Sequence, residues 1–166
     1  MAERQPVAER SFEAEDPTVK PWKEAREVLV AAQEYWLATV RPDGRPHAMP
    51  LLGLWIDGAL YFGTGASSVK ARNLAGNPNC VITVGDPALD LSVEGKAAKV
   101  ADEATLHRVA DAYAAKYGWR IEVRDGGVRA DDAIGAPPYE IYEVVPDRVI
   151  GIGKDTSLSA TRWRFA

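Results

Sequence analysis

The chain predicts a mainly β fold: a closed antiparallel barrel of six or seven strands with helices packed outside it. Three observations point that way. Apolar runs between residues 35 and 63 are cut by Pro42-Asp43-Gly44 and Asp57-Gly58, the turn chemistry of hairpins. Similar runs recur later as "CVITVGD", "LDLSVEGKAAKV" and "YEIYEVVPDRVIGIG". Helical patterns do not alternate with the strands as βαβ units would, so a parallel sheet is not expected.

At 166 residues and 18.0 kDa the chain fits one domain with a sizeable core. Residues 1–20 read as a polar arm, flexible or loosely docked, and 21–166 as a single domain whose tail runs over 154–166. In "KPWKEAREVLVAAQEY", Trp22, Ala25, Val28, Leu29 and Ala32 recur at helical spacing, and Pro21 suits a first turn. Three antiparallel strands are expected next, at about 36–41, 46–56 and 59–63. "TGASSVKARNLAGNP" then holds a helix of about two turns. Ser67 or Ser68 caps it, Val69 and Leu74 face inward, and Gly76-Asn77-Pro78 ends it.

Two further strands are joined through Asp86-Pro87. A long helix follows in "DEATLHRVADAYAAKYG", with Leu106, Val109, Ala110, Tyr113, Ala114 and Tyr117 on one stripe and Gly118 as its stop. Arg124 to Pro138 is a loop rich in Gly, Asp and Pro. "YEIYEVVPDRVIGIG" is a last strand pair, and "KDTSLSATRWRF" a tail ending in aromatics and arginines.

Several function classes drop out. A net charge of -4 leaves no basic excess for neutralising nucleic-acid phosphates. The single cysteine, Cys80, excludes an intramolecular disulfide, and no Cys/His cluster has zinc spacing, so no metal site is expected. No apolar run approaches the roughly 20 residues that span a bilayer, and the N-terminus lacks a signal-peptide core. The expected location is the cytoplasm. No local Ser/His/Asp or Cys/His motif supports nucleophilic catalysis. His107 sits off the helix stripe and Asp131-Asp132 lies in the loop; both read as solvated, and no catalytic residue is assigned.

Two constellations carry chemistry. A helix N-terminus already bears about half a positive charge, so Lys70 and Arg72 beside Ser67 and Ser68 are in electrostatic conflict unless an anion joins them. The competing reading is a capped surface helix whose cations point into water. In the tail, Trp163 and Phe165 alternate with Arg162 and Arg164, so an extended segment puts aromatics on one face and cations on the other. Such a tail closes over a planar ring, docks on a partner subunit, or packs on its own barrel.

Taken together, "LATV", the "PDGRPH" hairpin, the strand carrying Pro50, "LYFGTG", the basic helix start and "NLAGNP" resemble a known pattern. It is that of the split-barrel flavin-binding proteins of the pyridoxamine 5'-phosphate oxidase-like superfamily. The resemblance covers about Trp36 to Val100, and "TRWRF" adds to it. It implies a split β-barrel homodimer with two cofactor sites at the interface. Ala48, Met49, Pro50 and Leu51 would lie against the cofactor ring through backbone contacts. Thr64, Ser67, Ser68, Lys70, Arg72 and Asn73 would hold its phosphate, and Arg162 and Trp163 would reach the ring or substrate from the other subunit.

Within the superfamily the chain looks closer to the flavin/deazaflavin oxidoreductases of actinobacteria, whose members include users of coenzyme F420. That implies an oxidoreductase passing hydride between F420 and a small apolar or conjugated substrate. The acidic glutamate tail of F420 would favour Lys70, Arg72 and Arg162 along its path. An FMN-dependent reductase or oxidase, and a non-catalytic cofactor or tetrapyrrole carrier, are the alternatives. Water, Tyr61 or His47 would supply any proton the substrate needs.

Overall fold

The computed structural model describes residues 3–11, 18–124, 126–129, 139–154 and 158–166. In chain order, β1 (Val7–Arg10) is followed by α1 (Trp22–Ala31), β2 (Tyr35–Val40) and β3 (Pro46–Leu51). Next come β4 (Gly53–Ile56), β5 (Ala59–Gly65), α2 (Val69–Gly76), β6 (Asn79–Val84) and β7 (Leu89–Lys99). The chain continues with α3 (Glu103–Tyr117), β8 (Glu122–Arg124) and β9 (Gly127–Arg129), then β10 (Tyr139–Gly153) and β11 (Ser159–Arg164).

Local chemistry sets the turns and caps. Asp57 and Gly58 hold φ of 50° and 81° between β4 and β5, the pair of left-handed residues a tight hairpin needs. Ser68 caps α2 by accepting from the Ala71 N–H, and Asp102 caps α3 by accepting from the Thr105 N–H. Strand burial follows the period of two: β2 buries Tyr35, Leu37 and Thr39 and leaves Trp36 and Val40 exposed.

All pairings are antiparallel, in the order β1-β11-β10-β7-β6-β2-β3, with β5 added to the first half of β10 and β4 beside β5. One core lies inside the curled sheet under α1, around Leu29, Tyr35, Phe62, Val93 and Trp163. A second lies under α3, around Leu106, Val109, Tyr113 and Ile141. No helix among the described residues is long and apolar enough to cross a membrane.

Four expectations need correction. The sheet is not closed: no pairing among the described residues joins β3 to β4 or β5, and the described residues form eleven strands where six or seven were expected. The expected strand 46–56 breaks at Leu52, because β3 pairs with β2 while β4 pairs with β5. Beyond the break both faces are buried, Leu54 in the core under α3 and Trp55 in the core under α1, so alternation no longer marks the element. The expected pair over 139–153 is one 15-residue strand; its register shifts between Pro146 and Arg148, which absorbs a residue with no N–H to give.

The fourth correction concerns the ends. Residues 3–11 of the arm are tied down: β1 pairs with β11, the Trp55 Nε1–H donates to Glu3 Oε1 at 3.0 Å, and Arg4 donates to the Ala166 and Pro146 carbonyls. The tail likewise forms β11, paired with β10. Part of the expected loop is the β8–β9 hairpin, while Asp131 and Asp132 lie outside the described residues.

Lys116 anchors the end of α3, donating to Tyr35 Oη at 3.1 Å and to the Gly53 carbonyl at 3.3 Å. Burial pulls its pKa down to about 8. Between that value and the ordinary one of an unfolded lysine, the unfolded state binds more protons, so stability rises with pH. The unfolding free energy of the wild type should therefore gain on Lys116→Met by about 1 kcal/mol from pH 8 to pH 10, after allowing for solvent screening of a half-exposed group. Urea titrations at the two pH values measure the difference.

Candidate functional site

A cavity of about 450 Å³ opens where β3, the end of β5, the start of α2 and the α3–β9 segment meet. Met49, Pro50 and Leu51 form one wall, and Thr64 and Lys70 the polar end. The remainder is the Glu34 carboxylate and a largely apolar set: Leu52, Tyr113, Trp119, Ile121, Val128, Tyr139 and Ile141. Tyr113 and Trp119 stack with ring centroids 6.2 Å apart at 17°. The Tyr113 hydroxyl donates to the Leu52 carbonyl at 2.9 Å, and burial raises its pKa, so a neutral ring faces the cavity.

Lys70 carries the electrostatic interest. It is half-buried, it pairs with no carboxylate among the described residues, and desolvation lowers its pKa. It stands in the first turn of α2, whose N–H groups add partial positive charge. The Ser68 hydroxyl accepts from the Ala71 N–H at 3.1 Å and lies 3.0 Å from Thr64 Oγ1, which fixes the edge of the polar end. An unpaired cation beside free helix N–H groups suits a phosphate.

The expected site residues therefore divide. Met49, Pro50, Leu51, Thr64 and Lys70 come together in the cavity wall, with Ser67 and Ser68 on the adjoining turn. Ala48 pairs with Ala38 across the ladder and is exposed; it does not line the cavity. Arg72 is exposed on α2. Asn73 is buried and does not line the cavity, and its amide donates to Thr39 Oγ1 at 2.9 Å.

Trp163 does not line the cavity of its own protomer. Its indole is fully buried, packs edge-on against Trp22 at 5.8 Å, and donates to the Lys20 carbonyl at 3.1 Å. Gly151 is the residue that lets it in, since a Cβ there would sit 2.7 Å from the indole ring. Arg162 donates to the Ser11 carbonyl and pairs with Glu9 at 3.4 Å, away from the cavity. The tail's aromatic face packs on its own sheet.

Neither suggested proton donor lines the cavity. The Tyr61 hydroxyl donates to Glu143 Oε1 at 2.5 Å, and its pKa is pushed up to about 12 by burial and that carboxylate. His47 is held below its ordinary pKa by desolvation and the nearby Arg41 and Lys70 charges. Sequence reasoning missed Tyr113, Trp119, Ile121 and Val128. Tyr113 lies on the helix stripe that reads as core, and Trp119 and Ile121 follow the Gly118 stop without periodicity.

The family described as pyridoxamine 5'-phosphate oxidase matches residues 21–153. The chain belongs to that family. It is 40% identical over 74 residues to a pyridoxine/pyridoxamine 5'-phosphate oxidase of Pseudomonas entomophila, a match covering 43% of this chain and 34% of that relative. The chain thus spans about a third of the length of that curated relative. A solved structure described as an F420 reductase is 25% identical, with a TM-score of 0.56 over 75% of this chain and 94% of that one. An FMN-binding protein related to pyridoxamine 5'-phosphate oxidase, from Nostoc punctiforme, shares the fold at 21% identity; its TM-score is 0.57, over 86% and 90% of the two chains.

Proposed function

We propose that the chain is an oxidoreductase that transfers hydride between coenzyme F420 and a small organic substrate. Lys70 carries this reading: a half-buried cation without a carboxylate partner among the described residues, at the polar end of a cavity lined otherwise by apolar and aromatic side chains and Glu34. Lys70, Ser67 and Thr64 hold the cofactor phosphate, and the β3 segment Met49–Leu51 supports the ring. The bound cofactor supplies the hydride chemistry. The chain's own part is to fix the ring's position and keep water from the reacting face, which Tyr113 and Trp119 do from the α3 side.

FMN is the second reading, favoured by the Nostoc neighbour and by the same combination of ring and phosphate. Fluorescence titration of cofactor-free protein separates the two. Tight F420 binding with weak FMN binding supports the first, and the reverse moves the chain to the flavin branch. Binding of neither leaves Lys70 a surface cation and ends both readings. A bound reduced cofactor that no substrate reoxidises would instead leave a carrier.

The chain acts as a cytoplasmic homodimer in this reading, with the cofactor at the interface. Trp36 is 48% exposed and Val40 37% exposed on the outer face of β2, and Trp36 lies opposite Pro50, which also lines the cavity. An exposed apolar sheet face continuous with the cavity wall suits a second copy. Trp36→Glu should therefore produce a monomer in sedimentation velocity and weaken cofactor binding at least tenfold; a wild-type monomer at micromolar concentration contradicts the assembly.

A further inference from the structure

We infer that the apolar end of this cavity selects an uncharged planar substrate and rejects phosphorylated ones, a phosphorylated pyridine of the kind in the family's name included. The inference rests on the cofactor reading above, because that reading commits Lys70 to the cofactor. Lys70 is the one cation among the described residues that line the cavity, and no Lys, Arg or His occurs in the sequence outside the described residues. A phosphorylated substrate would therefore bring a second anion into a space where the protomer that lines it offers no second cation and Glu34 adds a carboxylate. Burying an unpaired charge is strongly unfavourable.

The basic residues nearby are turned elsewhere. On the β8–β9 hairpin, Val128 faces the cavity, while Arg124 and Arg129 are exposed. Lys116, one turn from Tyr113, spends its donors on Tyr35 and Gly53. What the cavity does offer is the Tyr113–Trp119 stack, with Ile121 and Ile141 beside it. Flat aromatic walls take planar rings by offset stacking and need no charge from the ligand. Trp119 is the specificity-determining residue in this account.

The test uses cofactor-loaded protein and a matched pair of probes, 2-naphthol and 2-naphthyl phosphate, by titration calorimetry. Cofactor loading is read first from cofactor fluorescence, and its failure overturns the cofactor reading rather than the selectivity. On loaded protein, 2-naphthol should bind at least tenfold more tightly than its phosphate ester. On variants whose cofactor loading is first confirmed by fluorescence, Trp119→Ala should weaken 2-naphthol about tenfold, while Trp119→Phe should retain most of the binding. Equal or tighter binding of the phosphate ester overturns the inference. So does failure of 2-naphthol to bind, or binding that is indifferent to both Trp119 variants.

Discussion

Replacing Lys70 by Ala should weaken cofactor binding about ten- to hundredfold, the loss of a charge-assisted hydrogen bond to a phosphate. The apo protein should be no less stable, because the same change removes a half-buried cation that lacks a carboxylate partner among the described residues. The pairing of lost affinity with kept stability is diagnostic. A lysine that merely decorates a capped helix would change neither. The pH dependence has a definite sign. Because desolvation depresses the Lys70 pKa in the free protein, affinity should begin to fall with rising pH earlier than an ordinary lysine would allow. Fluorescence titrations of wild type and Lys70→Ala across alkaline pH measure both effects.

The largest effect on stability is expected at Trp163. Truncation to Ala removes a fully buried indole, its edge contact with Trp22 and its bond to the Lys20 carbonyl. The cost should be about 3–5 kcal/mol, a large share of the stability of a domain this size. Urea unfolding of the variant should show a midpoint lowered accordingly, or no folded baseline. Trp163→Phe keeps most of the volume and serves the functional question. Its cofactor affinity should stay within twofold of wild type, because Trp163 lies in the core under α1 and not in the cavity wall. A tenfold loss in that variant would return the tail to the cofactor site.

Trp163 also illustrates what sequence carries and what it omits. The alternation of Arg162, Trp163, Arg164 and Phe165 correctly separates an aromatic face from a cationic one, since strand geometry is local. What covers the aromatic face is Trp22, far away in the chain, and no pattern inside "TRWRF" encodes it. The Asp57-Gly58 turn and the Ser68 cap were legible for the same local reason. Strand partners were not. The switch at Leu52 and the open ladder depend on pairings chosen across the whole sheet, and the buried faces of β4 erase the period of two.

The site divides along the same line. Lys70 was legible because a cation in a first helical turn is a local anomaly. Asn73, three residues on, shares the turn's polar character but points into the core toward Thr39, a non-local fact. Tyr113 was hidden for the opposite reason: its stripe reads as core, yet its ring also walls the cavity.

The most direct measurement is a crystal structure of the protein with F420 bound. The account predicts the cofactor phosphate within hydrogen-bonding distance of Lys70 Nζ and Ser67, with the ring against Met49–Leu51. A phosphate seated on Arg162 or Arg164, or a ring outside the cavity of Tyr113 and Trp119, would contradict it.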